Sequence, residues 1–140
     1  MKKKPLINKE KIISLDKGNV LHAIKNNSIG YKNFGEAYFS TVKSGFIKGW
    51  KRHKLMTMNL LVPVGEVRFI LFDENENNEI KFQEFKLSQK NYCRLTLPPL
   101  FWYGFQGIAS IDSLVLNVAD IIHDPNEIET RDLDTVDFNW

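Results

Sequence analysis

Lys51 and His53 stand two residues apart in Gly45-Phe46-Ile47-Lys48-Gly49-Trp50-Lys51-Arg52-His53-Lys54, where apolar side chains alternate with small or polar ones before cations crowd in. A lysine ammonium holds an anion or polarises a carbonyl, and burial turns it into a base or an imine-forming nucleophile. Histidine exchanges a proton near neutral pH without help. On one face of a strand, the pair suits a ligand bearing negative charge and a carbonyl. The alternation is that of a half-buried strand, whose successive side chains take opposite faces. A regular strand puts Gly49, Lys51 and His53 on one face and Lys48, Trp50, Arg52 and Lys54 on the other.

Such a pair needs neighbouring strands to fix it, and the sequence supplies many short ones. Phe34–Val42 alternates, Lys43-Ser44-Gly45 turns, and Phe46–His53 alternates again. Met56–Val64 is strongly apolar, and Val64-Gly65-Glu66 predicts a tight hairpin into Val67–Phe72. Asp73–Asn78 reads as a polar loop. Ile80–Leu87 alternates with a phase slip between Phe82 and Phe85; Tyr92–Leu97 runs up to Pro98-Pro99, and Leu114–Ala119 is a last apolar strand. About eight strands at this spacing predict an all-β sandwich or barrel. Helix is expected only as a turn at His22–Lys25 and a short C-terminal piece over Asn126–Leu133, after Asp124-Pro125.

The chain of 140 residues reads as one domain, 1–140, with a core over about 34–121 and a tail over 122–140. Acidic and apolar residues interleave in Asp132–Trp140, a pattern that packs along a barrel or onto a second subunit. A net charge of +2 is too small to imply nucleic-acid binding, and Lys2-Lys3-Lys4 lacks the apolar segment of a targeting signal. No run is long and apolar enough for a membrane span. The single Cys93 fits a reducing cytoplasm, and three histidines with one cysteine argue against structural zinc.

Three segments together resemble the dTDP-4-dehydrorhamnose 3,5-epimerases, small cupins of sugar-nucleotide metabolism. Gly45-Phe46-Ile47-Lys48-Gly49-Trp50-Lys51 is similar to G-x-[LI]-R-G-L-H. Leu97-Pro98-Pro99-Leu100-Phe101-Trp102-Tyr103-Gly104-Phe105 is similar to I-P-x-G-F-A-H-G-F, and Ile122-His123-Asp124-Pro125-Asn126-Glu127 to Y-Y-x-P-x-x-E. Order and spacing agree over roughly residues 34–130. The resemblance implies a cupin-type double-stranded β-helix, a jelly roll, that dimerises. It also implies a nucleotide-linked 4-keto sugar as ligand, in the synthesis of a surface polysaccharide such as lipopolysaccharide.

At the reactive positions the chain departs from the family. Lys51 replaces the histidine that removes a proton beside the sugar ketone, and Lys48 replaces the arginine associated with the diphosphate. Counting back from Pro125 puts Asn117 where the family has its acid tyrosine, while Tyr103 replaces the histidine of A-H-G-F. Lys51 or His53 is therefore expected as base and Tyr103 as acid or carbonyl polariser. Glu36, Asn59, Arg94 and Asn117 are polar residues within apolar strands, which either pair internally or face a ligand. With Lys48 and Trp102 they complete the expected binding set, Arg94 serving as internal anchor.

Lys51-Arg52-His53-Lys54 also resembles the H-A-H-K of sugar-nucleotide 3,4-ketoisomerases, so ketoisomerisation stands as an alternative. A non-catalytic sugar- or nucleotide-sugar-binding cupin is the other. Many cupins hold a metal through H-x-H, a glutamate and a later histidine; Lys51 breaks the first pair and Tyr103 occupies the last place. No metal and no cofactor are expected. The partners expected are a nucleotide sugar and a second copy of the chain, with neither nucleic acid nor membrane.

Overall fold

The computed structural model describes residues 3–74 and 79–140. Its strands are β1 (Leu6–Lys9), β2 (Ile12–Ile13), β3 (Val20–Leu21), β4 (Glu36–Val42), β5 (Ile47–His53) and β6 (Met58–Val64). They continue with β7 (Glu66–Glu74), β8 (Ile80–Ser88), β9 (Cys93–Leu97), β10 (Trp102–Gly107), β11 (Ser113–Ala119) and β12 (Ile128–Thr130). β11 shows the principle: Ser113, Val115, Asn117 and Ala119 are buried, and the residues between them are half-buried. That period of two marks a strand with one face on a core.

Ten strands form two antiparallel five-stranded sheets, ordered β1-β9-β6-β11-β4 and β12-β5-β10-β7-β8, while β2 and β3 pair separately. This is the all-β jelly roll of the cupins. Between the sheets lie Met58, Leu60, Val67, Phe69, Leu87 and Leu95, all buried. Each such side chain contributes about 1.5–3 kcal/mol of burial, which sets the sheet-on-sheet register. No helix among the described residues is long and apolar enough to cross a membrane.

Each sheet is partly covered on its outer face as well. The segment before β4 lies over β9 and β6: Gly30 approaches so closely that a Cβ there would collide with the Thr96 side chain, and its φ of 89° also favours glycine. The C-terminal tail lies over the other sheet, where Val136 and Phe138 join Trp50, Ile70, Phe72 and Trp102 in a second apolar cluster. Of the two fates expected for the tail, packing along the barrel is the one observed.

Several expectations are corrected. Gly65 makes no hairpin, because β6 and β7 belong to different sheets. Its φ of 80° carries the chain from one sheet to the other, and a Cβ there would strike Ser113. The phase slip read in β8 leaves its pairing unbroken: β8 pairs with β7 residue for residue from Glu66↔Ser88 to Glu74↔Ile80. Phe82 packs under the tail while Phe85 packs on the inner core, so both faces need apolar residues. His22–Lys25 is not helical. Asn126–Leu133 holds a 3-10 turn, Pro125–Glu127, and then β12, which pairs with β5. Within the loop expected at 73–78, positions 75–78 lie outside the described residues, as do positions 1–2 of the basic N-terminus.

Candidate active site

A cavity of about 120 Å³ lies between the sheets, with walls from β4, β5, β6, β7, β10 and β11. Lys48, Lys51, Tyr38, Tyr103 and Asn117 supply much of its polar lining, and Met58, Leu60, Phe69 and Phe105 its apolar lining. Lys48, Lys51 and Tyr38 are exposed and mark the mouth; Tyr103, 7% exposed, marks the floor. Among the described residues the lining holds two ammonium groups and no carboxylate, the electrostatics of a site for an anion.

Lys48 belongs to this cavity, contrary to the strict alternation expected of β5. Lys51 pairs with Tyr103 of β10 and Lys48 with Phe105, so Gly49 and Trp50 together oppose Gly104 alone. That bulge inserts one residue and returns Lys48 to the face of Lys51. Trp50 is left on the opposite side, against Phe72 and Trp140. Lys48 Nζ donates to the Thr41 carbonyl at 2.6 Å, tying β5 to β4 at the mouth.

Beneath Tyr103 sits His53, 4% exposed. Its Nδ1 makes a short bond to Glu127 Oε1, and its Nε2 is 3.3 Å from the Tyr103 hydroxyl. A carboxylate only accepts, so Nδ1 carries the hydrogen; in the neutral ring Nε2 is then the acceptor for the Tyr103 O–H. The line Tyr103–His53–Glu127 thus runs from the cavity floor into the protein. Glu127 is fixed at its far end: Oε2 accepts the backbone N–H of Lys54, Leu55 and Met56 at 3.1, 3.0 and 3.2 Å. Asp124 caps the 3-10 turn that delivers it, accepting the Asn126 N–H at 2.9 Å.

The environments set the protonation of both ends. Burial alone would push the Glu127 carboxyl up, but the His53 bond and the Leu55 and Met56 amides hold it below the usual carboxylate range. The Tyr103 phenol is pushed well above its usual value, first by burial and then by Tyr38 and Glu127. Tyr103 is therefore a neutral phenol at physiological pH, with its hydroxyl within hydrogen-bond reach of His53 Nε2.

Asn117 lines the cavity as expected, and its side chain is doubly committed. Its Oδ1 accepts the Asn59 N–H at 3.2 Å, and its Nδ2 donates to Tyr38 Oη at 3.0 Å. The remaining members of the expected binding set lie elsewhere. Arg94 and Asn59 face away from the core, on the outer side of β9 and β6, where Arg94 bonds Glu10, Asn59, Thr96 and the Ile29 carbonyl. They are buried because the N-terminal segment covers that face, so Arg94 anchors no ligand in the cavity. Trp102 is on the outer side of β10, stacked with Phe72 and sandwiched by Arg52 and Arg131 at 4.7 and 5.1 Å. Glu36 is outside the cavity lining and accepts the His123 N–H at 3.0 Å.

Two residues were not singled out from the sequence. Tyr38 sits in β4 among other aromatics, and Glu127 ends the third motif, where only its place in the pattern was noted. Among the described residues no group of three or more His, Cys, Asp or Glu is placed to hold a metal ion.

No protein-family model matches the chain. It is 20% identical, over 131 residues, to the spore coat polysaccharide biosynthesis protein SpsL of Bacillus subtilis (strain 168), covering 89% of this chain and 87% of that protein. The fold matches that of dTDP-4-dehydrorhamnose 3,5-epimerase from Sulfolobus tokodaii, with a TM-score of 0.82, 19% identity and coverage of 97% and 81%. A dTDP sugar isomerase from Desulfovibrio desulfuricans G20 is much nearer: TM-score 0.90, 35% identity, covering 97% of this chain and 90% of that one. With that identity along nearly all of both chains, the protein belongs to the family of dTDP-4-dehydrorhamnose 3,5-epimerases and related dTDP-sugar isomerases.

Proposed function

We propose that the protein is an isomerase or epimerase acting on a nucleotide-linked 4-keto sugar, for which dTDP is the first nucleotide to test. The observation that carries this is the Tyr103–His53–Glu127 line ending at a cavity whose mouth holds Lys48 and Lys51. Enolising a ketone requires a base near the acidic C–H and positive charge or a donor near the oxygen. In this reading Tyr103 touches the sugar and relays its proton to His53, which Glu127 keeps in the right tautomer. Lys51, paired across the strands with Tyr103, polarises the carbonyl, and Lys48 holds phosphate. Incubation in deuterium oxide with dTDP-, GDP- and CDP-linked 4-keto sugars tests it. Deuterium entering a carbon beside the ketone is expected for one of them; none above background for any sugar would reject catalysis.

Lys51 at the position of the family's base favours a second reading, a non-catalytic cupin that binds a nucleotide sugar. Binding by calorimetry without exchange would establish it. Product analysis separates epimerisation from 3,4-ketoisomerisation. The setting inferred is cytoplasmic synthesis of a surface polysaccharide, lipopolysaccharide included. A homodimer belongs to the same proposal: β4 presents Phe39, 63% exposed, beside Leu116 of β11 on an outer face. Sedimentation at micromolar concentration should show a dimer.

A further inference from the structure

We propose that Tyr38 is a second catalytic acid, delivering a proton to the sugar from the cavity wall opposite Tyr103. The proposal rests on the isomerase reading above and adds a group to it. Tyr38 and Asn117 are direct partners in the β4–β11 ladder, so their side chains leave the sheet on the same face. The Asn117 carboxamide has no freedom to turn: its oxygen is taken by the Asn59 N–H, and this aims Nδ2 at the Tyr38 oxygen. Receiving that hydrogen bond, the Tyr38 oxygen keeps its own proton for another acceptor. Both groups line the cavity, as does Tyr103.

The two phenols stand on different sheets, Tyr38 on β4 of one and Tyr103 on β10 of the other. A sugar ring between the sheets therefore meets one phenol on each face. Inverting a carbon beside a ketone without turning the enolate over uses that arrangement, because the proton leaves from one face and returns to the other. Tyr103 passes its own proton to His53 Nε2 as its oxygen takes the sugar's proton, breaking the C–H bond and leaving an enolate whose oxygen lies near the Lys51 ammonium. Tyr38 O–H then protonates the same carbon from the opposite face, forming the new C–H bond and a phenolate. The extra proton on His53 is returned to the Tyr38 phenolate through solvent, so nothing is consumed. Tyr38 is 38% exposed at the mouth, and solvent reaches it.

The test compares Tyr38→Phe with wild type, using the nucleotide-linked 4-keto sugar that wild type labels in deuterium oxide. Loss of the hydroxyl should lower product formation on the order of 10²-fold, the scale of one acid–base group. Deuterium should still enter recovered substrate, and sugar-nucleotide affinity and melting temperature should stay near wild type. Tyr103→Phe should instead lose exchange and turnover together. The proposal is overturned if Tyr38→Phe forms product within threefold of wild type, or loses exchange in step with turnover. Wild type that exchanges nothing on any of the sugars rejects the isomerase reading itself, and this proposal with it.

Discussion

Two buried polar clusters, one on each sheet, look alike by burial and differ in what they leave unsaturated. Arg94, 1% exposed, and His53, 4% exposed, each lie on a strand among apolar neighbours. Every nitrogen of the Arg94 guanidinium is bonded: Nε on Glu10 at 2.9 Å, Nη1 on Asn59 and Thr96 at 2.6 and 2.8 Å, Nη2 on the Ile29 carbonyl at 2.8 Å. His53 is saturated only on the side of Glu127. Its other nitrogen meets Tyr103 at a longer 3.3 Å, and Tyr103 faces an open cavity. A fully bonded buried cluster fixes structure; one that ends at a cavity with a transferable proton is placed for chemistry.

Removing one group from each cluster should separate the two roles. Tyr103→Phe is expected to lower turnover by about 10²–10⁴-fold while leaving the urea midpoint close to wild type, since the ring and its packing remain. Arg94→Leu should do the reverse. It strands Glu10 and Asn59 and is expected to cost about 3–5 kcal/mol of stability, read from urea unfolding, with normal turnover per folded molecule. If Tyr103→Phe keeps most of its turnover, the relay is structural after all. If Arg94→Leu loses turnover at full stability, the outer cluster communicates with the cavity.

The strands were legible because their apolar period is two and survives wherever one face is solvated, as along β11. Legibility failed where both faces are covered. Arg94 and Asn59 sit in strands with no exposed face, β9 and the first part of β6, so the sequence carries no mark of which side holds the cavity. Lys48 was misplaced for a different reason: the bulge depends on Gly104 of another strand, and nothing local to β5 announces it. Tyr38 was hidden because β4 has aromatics on both faces, with Phe39 pointing outward beside it. Glu127 was visible as a residue of the third motif, but its role needs the turn that folds it back under β5. Lys51 was marked by its spacing with His53, and Tyr103 and Asn117 by the positions the resemblance gave them; all three line the cavity.

The smallest expected effect probes how firmly the relay is held. The folded-state carboxyl of Glu127 lies below its ordinary range, so its ionised form stabilises the protein at any pH above the unfolded value, about 4.3. That stabilisation is lost as pH falls through the depressed folded value. Glu127→Gln lacks the charge and so lacks the pH-dependent part. Wild type should exceed the variant by about 1.5–3 kcal/mol from pH 5 to 7, the range for hydrogen bonds to a charged group. The gap should close as pH drops below 4, because wild type alone then gains a proton at position 127 on unfolding, where the carboxyl binds it more readily than in the fold. Urea unfolding of both proteins between pH 3 and 7 measures it. A gap that stays constant down to pH 3 would mean that packing, and not the charge on Glu127, holds His53 under Tyr103.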